Sequence, residues 1–156
     1  MDISFLNRKN FKALDFFKSD TAKNSNILNI PTAYYMQVTL NNLTVTANKI
    51  QEIRALLGFP VFITSGFRCI ELNKLVGGSS SSQHITGEAL DFVCPRFGSP
   101  EKIVRYLREK NIEVDQCIIE KSGDKEWVHL SIKKFKNRNE FAIIKDGKFS
   151  LLGKIN

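Results

Sequence analysis

The sequence predicts a single α+β domain, and three observations carry that prediction. At 156 residues the chain has one domain's length, with room for a real core. Apolar residues at helical spacing mark its first part, whereas β-branched and aromatic runs between turn residues dominate the later part. Helices grouped ahead of strands argue for segregated elements rather than for alternating βαβ units. Apolar residues at 42% and charged residues at 25% are close to globular averages and exclude a disordered chain.

Taken in order, Phe11, Leu14 and Phe17 alternate with Lys12, Asp15 and Lys18, which predicts a short amphipathic docking helix ending near Ser19 and Asp20. Pro31 suits a first helical turn. Leu43, Ala47, Ile50, Ile53 and Leu57 then recur at steps of three and four until Gly58 and Pro60, predicting the long core helix. Val61 to Thr64 reads as a strand entering a sheet, followed by a loop. The tract from Gly77 to Ser82 is closely flanked by strand-like runs and is expected to be an ordered loop rather than a domain boundary. Ala89 to Val93 reads as a buried strand. Ser99 as N-cap and Pro100 at the first position open a helix with Ile103, Val104 and Leu107 inward, closing near Asn111. Strands follow at Val114 to Glu120 and Trp127 to Ile132 around a Ser122-Gly123-Asp124 turn, then a hairpin of Phe141 to Ile144 and Phe149 to Leu152 about Asp146-Gly147.

Charge and cysteine content restrict the partners. The net charge of +7 favours a polyanion no more than it favours a plain solvated basic surface. The stretch Lys133 to Arg138, KKFKNR, reads as a solvated edge, so no nucleic-acid partner is expected. No run approaches the roughly 18 apolar residues of a membrane span, and the polar start after Met1 lacks the pattern of a secretion signal, so synthesis in the cytoplasm is expected. Cys69, Cys94 and Cys117 are an odd set without C-x-x-C spacing, which predicts isolated thiols rather than a disulfide framework or a thiolate site. Nothing in the sequence specifies an oligomeric state.

Two polar residues stand where strands should be apolar. Asp91 lies in Ala89-Leu90-Asp91-Phe92-Val93, and burying its carboxylate costs several kcal/mol unless an ion or hydrogen bonds compensate. His129 sits likewise within Trp127 to Ile132. Singly, each has an ordinary explanation, an Asp paired with a Lys or a His bonded to a backbone carbonyl. Together with His84, in H-x-x-G-x-A-x-D, and Glu126, in E-x-x-H, they supply two imidazoles and two carboxylates. Two imidazoles and one carboxylate leave the fourth tetrahedral position of Zn²⁺ open, as in catalytic sites, and the other carboxylate is free to act as a base. Positions three apart on a strand face opposite ways. Glu126 must therefore precede the regular strand if it is to meet His129, and the Gly123-Asp124-Lys125 turn would leave it at the strand mouth.

The ordered motifs SGFR at Ser65 to Arg68, N-x-x-V-G-G-S at Asn73 to Ser79, S-Q-H-x-x-G-E-A-x-D-F at Ser82 to Phe92 and W-V-H at Trp127 to His129 resemble the zinc D-Ala-D-Ala carboxypeptidase family, including its phage-type members. The likeness spans roughly Phe11 to Ile132, with NFKALDFFKSDTA resembling the start of such domains; residues 133–156 form a C-terminal hairpin extension of the single domain 1–156. The resemblance implies that His84, Asp91 and His129 bind Zn²⁺ and that Glu126 is the general base. It also implies that Arg68 stabilises an oxyanion or holds a substrate carboxylate, and that Ser82, Gln83 and Trp127 shape the substrate subsite. Cys69 stands where such motifs more often carry a serine. The expected architecture is a central antiparallel sheet, with N-terminal helices on one face and the zinc site on the other. The expected substrate is a peptidoglycan stem peptide in the cell wall, cut at D-Ala-D-Ala or, alternatively, between L-Ala and D-Glu. A non-catalytic wall-binding or virion domain is the rival reading.

Overall fold

Six strands form one sheet in the order β1-β2-β4-β3-β5-β6 in the computed structural model, which describes residues 2–154. They are β1 (Phe62–Ser65), β2 (Ala89–Val93), β3 (Gln116–Ser122), β4 (Lys125–Ser131), β5 (Glu140–Lys145) and β6 (Lys148–Lys154). The helices are α1 (Asp20–Asn24), α2 (Met36–Leu57), α3 (Ile70–Leu75) and α4 (Pro100–Glu109). The fold is α+β, as the segregation of apolar patterns predicts.

Every strand pairing is antiparallel except β3 with β5. The exception comes from the short segment after β4. Ser131 and Glu140 both pair with Gln116, so residues 132–139 pass the start of β3 and enter its other side. The C-terminal hairpin is thereby part of the sheet, with Phe141 and Ala142 fully buried. Its turn matches expectation: Asp146 and Gly147 both have positive φ, 51° and 75°, as a two-residue turn between twisted strands requires.

Helix boundaries follow from capping. Gly58 ends α2 in the left-handed conformation, its N–H bonding Arg54 O, and Ser99 Oγ accepts from Lys102 N at the start of α4. Two expectations are corrected. The docking helix at residues 11–17 is only a 3-10 turn, Ala13–Phe16, opened by Asp15 accepting from Lys12 N and closed by Phe17 N bonding Leu14 O, with Leu14 exposed. α2 begins at Met36 rather than near Pro31, since residues 32–35 form a separate turn with Tyr35 N bonded to Thr32 O. Residues 70–75, expected to lie in a loop, form α3. Cys69 caps α3 there, its Sγ accepting from Leu72 N at 3.4 Å, which is how a thiol serves where a serine is commoner.

The core lies on one face of the sheet. Leu43, Ala47, Ile50 and Ile53 of α2 and Ile103, Val104 and Leu107 of α4 share a buried cluster with Leu90, Phe92, Val128, Leu130, Cys117 and Ile119. Each such side chain contributes about 1.5–3 kcal/mol by leaving water. Strand alternation turns the intervening residues, Asp91, His129, Ile118 and Glu120, to the opposite face. Both the N-terminal α2 and the later α4 therefore back the sheet, while its other face carries the polar site. No helix among the described residues is long and apolar enough to cross a membrane.

Candidate metal centre

Asp91 and His129 meet because β2 and β4 pair in a register that sets them directly opposite each other. His84 arrives from the loop before β2, which is closed by Ile85 N to Ser82 O and Glu88 N to Gln83 O, each 3.0 Å. Gly87, at φ +76°, lets that loop lie against α2, where a Cβ would press on Leu43 and Thr39. The SGFR motif docks on the same loop: Arg68 N bonds His84 O at 3.1 Å, and Gly66 O lies 2.7 Å from His84 Nδ1. A side chain at Gly66 would collide with the Phe16 carbonyl, which ties the N-terminal turn to this motif.

The three predicted ligands converge. His84 Nε2 lies 3.3 Å from Asp91 Oδ1 and 3.3 Å from His129 Nδ1, and His129 Nδ1 lies 2.9 Å from Asp91 Oδ1. The bond to Gly66 O puts the His84 proton on Nδ1 and leaves the Nε2 lone pair facing the other two residues. Bonds of about 2.0–2.1 Å in a tetrahedron put ligand atoms about 3.3 Å apart, so this spacing fits a metal ion of that size. His84 and Asp91 are buried and His129 nearly so. Burial opposes ionisation of Asp91; when the facing imidazoles carry protons instead of a metal, their charge and hydrogen bonds outweigh it and hold the carboxyl far below its usual range. Burial also disfavours the charged form of His129, and Asp91 overcomes that and raises its pKa. The three residues could hold a metal.

Around this group the remaining predictions divide. Arg68 Nη2 is 3.5 Å from Asp91 Oδ2, so Arg68 braces the outer oxygen of the carboxylate, and its buried Nε has no hydrogen-bond partner among the described residues. Ser82 and Gln83 line a cleft of about 700 Å³ that also holds His84, His129 and Glu120. Trp127 lies instead on a second cavity of about 520 Å³, with Asp91, Arg68 and Glu120. Arg68 and Glu120 belong to both cavities, which therefore flank the metal-holding group.

Glu126 is the correction. Strand β4 already includes it, so it points away from His129, and its carboxylate pairs with Lys121 Nζ at 2.9 Å. The carboxylate that does face the group is Glu120, which no motif flagged. It lies opposite Trp127, two residues from Ile118, the cross-strand partner of His129. Burial raises its pKa above the ordinary value, with His129 acting against that shift. The signal was available in the turn: a two-residue Gly123-Asp124 loop makes Glu120 and Trp127 partners and places Glu120 on the His129 face.

The same stretch of chain matches the Peptidase M15 family over residues 9–131. The chain belongs to the Peptidase M15 family. M15 peptidases are zinc-dependent and act on peptidoglycan. No individual curated protein matches the chain. The M15 match takes in all three metal-holding residues, Arg68, Glu120 and the cleft residues Ser82 and Gln83, and stops at the end of β4. Residues 132–139 and the hairpin β5–β6 lie beyond it.

Proposed function

We propose that the chain is a zinc metallopeptidase that hydrolyses peptidoglycan stem peptides, with Glu120 rather than Glu126 as general base. The observation that carries this reading is the convergence of three lone-pair donors at tetrahedral spacing beside a cleft that also holds the partly buried Glu120 carboxylate. His84, Asp91 and His129 would hold zinc, which would supply a Lewis acid for the scissile carbonyl and make the attacking water more acidic. Glu120 takes a proton from that water and passes it to the departing amine; its raised pKa suits a group that must both accept and release a proton. Arg68 keeps Asp91 oriented through Oδ2, and its guanidinium lines both cavities, where it can meet charge that develops on the carbonyl oxygen. Ser82 and Gln83 form the wall against which the peptide lies.

The first reading of specificity is a D-Ala-D-Ala carboxypeptidase acting in the cell wall. Cleavage between L-Ala and D-Glu has one observation in its favour: cavities on both sides of the metal-holding group leave room for a substrate extending both ways. Incubating stem peptides with the zinc-loaded protein and weighing the products separates the two. Released D-alanine supports the first, a new D-Glu amino terminus supports the second, and an unchanged peptide refutes the peptidase reading. Wall binding without hydrolysis would favour a non-catalytic module.

A further inference from the structure

Lys134, Phe135 and Lys136 of the basic stretch after β4 are exposed, as in a solvated edge, but Lys133 and Arg138 stand on the wall of the cleft that holds His84 and His129, next to Gln83. They are organised by Asp115, which is fully buried at the start of β3. Arg138 Nη2 pairs with Asp115 Oδ2, while Arg138 Nε and backbone N reach Oδ1 at 3.0 and 3.1 Å. Lys133 Nζ lies 3.4 Å from Oδ1. Gln83 closes the cluster, donating to Asp115 Oδ2 at 3.0 Å and accepting from Arg138 Nη2 at 3.2 Å.

Charge counting shows what this cluster offers. One buried carboxylate is matched by two cations, leaving one positive charge in excess. Among the described residues Glu140 is the one further carboxylate paired with either cation. Glu140 is held by Lys154 at 3.3 Å and Gln116 at 3.0 Å, with Arg138 Nη1 only at 3.9 Å. Glu88, on the same wall, accepts from Thr86 Oγ1 at 2.8 Å. The Lys133 and Arg138 side chains keep 35% and 40% of their surface exposed, so N–H groups remain for a ligand while Asp115 fixes their position.

We propose that Lys133 and Arg138 form a carboxylate-binding subsite of this cleft, so that a segment outside the M15 match selects which carboxylate of the stem peptide is held. The inference rests on the peptidase reading above. A stem peptide offers two sources of that chemistry, its terminal carboxylate and the carboxylate of an internal glutamyl residue, and the test separates them.

The full chain with zinc is assayed on three synthetic stem peptides: the free acid, the C-terminal amide and the internal glutamyl amide. In the wild type one amidation raises KM about 10- to 100-fold with kcat little changed, as loss of a charge-assisted contact predicts. The arm that responds identifies the carboxylate. Lys133→Gln raises KM for the free acid and shrinks the discrimination against that amide at least several-fold. Arg138→Lys, which keeps a cation beside Asp115, retains more of the discrimination than Arg138→Gln. A purely structural role for the cluster would move stability without touching the amide-to-acid ratio. Equal KM for all three peptides, or full discrimination by Lys133→Gln, overturns the subsite alone. No hydrolysis of any peptide overturns the peptidase reading and the subsite with it.

Discussion

Two buried carboxylates, Asp115 and Asp91, each hold side chains that line the same cleft, and they are compensated in opposite ways. Asp115 is surrounded by donors and permanent cations: Arg138, Lys133 and the Gln83 amide. Asp91 is faced mainly by imidazole nitrogens, which bring lone pairs unless they carry a proton, with Arg68 reaching only its outer oxygen. The first cluster is complete within the protein. The second is complete only with a cation among its donors, either a proton on His129 or a metal ion. Buried charge alone does not mark a metal site; a shortage of protein donors around it does.

The largest expected effect tests the Asp91 side of that contrast. Chelation, or alanine at His84, Asp91 or His129, should reduce hydrolysis to background and remove bound metal on elemental analysis. Zinc should restore the chelated wild type but none of the variants. Residual full activity after complete metal removal would break the comparison.

Next in size, Glu120→Gln should lower kcat by about 10²–10⁴-fold with metal retained. Glu126→Gln, which loses only a half-exposed pair with Lys121, should stay within about threefold of wild type in activity. The reverse ranking in steady-state kinetics would return the base to Glu126.

On the Asp115 side, Arg138→Gln leaves a buried carboxylate with weaker support and should destabilise the fold by about 3 kcal/mol, read from denaturant unfolding. Chelation should leave this contribution unchanged. The smallest expected effect is acid sensitivity. Burial works against the charge of Asp115, but Arg138 and Gln83 hold its pKa at about 2, below its unfolded value. A depressed pKa stabilises the fold above the unfolded pKa, and that stability is lost as protons bind. Wild-type stability should therefore fall between about pH 4 and pH 2 through this group, and Arg138→Gln should flatten that part of the profile.

Much of the site was legible before any coordinates. His84, Asp91 and His129 stood out because polar groups interrupt apolar strands or recur in an ordered motif, and their convergence follows from strand pairing. The E-x-x-H spacing misled because it disregarded the strand alternation that separates Glu126 from His129, whereas Glu120 is nine positions away in sequence yet near across the hairpin. Residues 11–17 show the same limit. Phe11 and Phe17 are buried as their spacing predicts, but Leu14 between them is exposed and Phe16 takes its place in the core.

What the sequence determined alone is what local chemistry dictates: the caps at Ser99 and Gly58, the turns at Gly123 and Gly147, the apolar stripe of α2 and the three residues that could hold a metal. The tertiary structure decided what depends on contacts between distant segments. The parallel entry of β5 beside β3, the facing of Glu120 rather than Glu126 toward His129, and the placement of Lys133 and Arg138 over Asp115 all depend on strand register and crossover path. Those are set by packing across the whole sheet, to which short-range periodicity is blind.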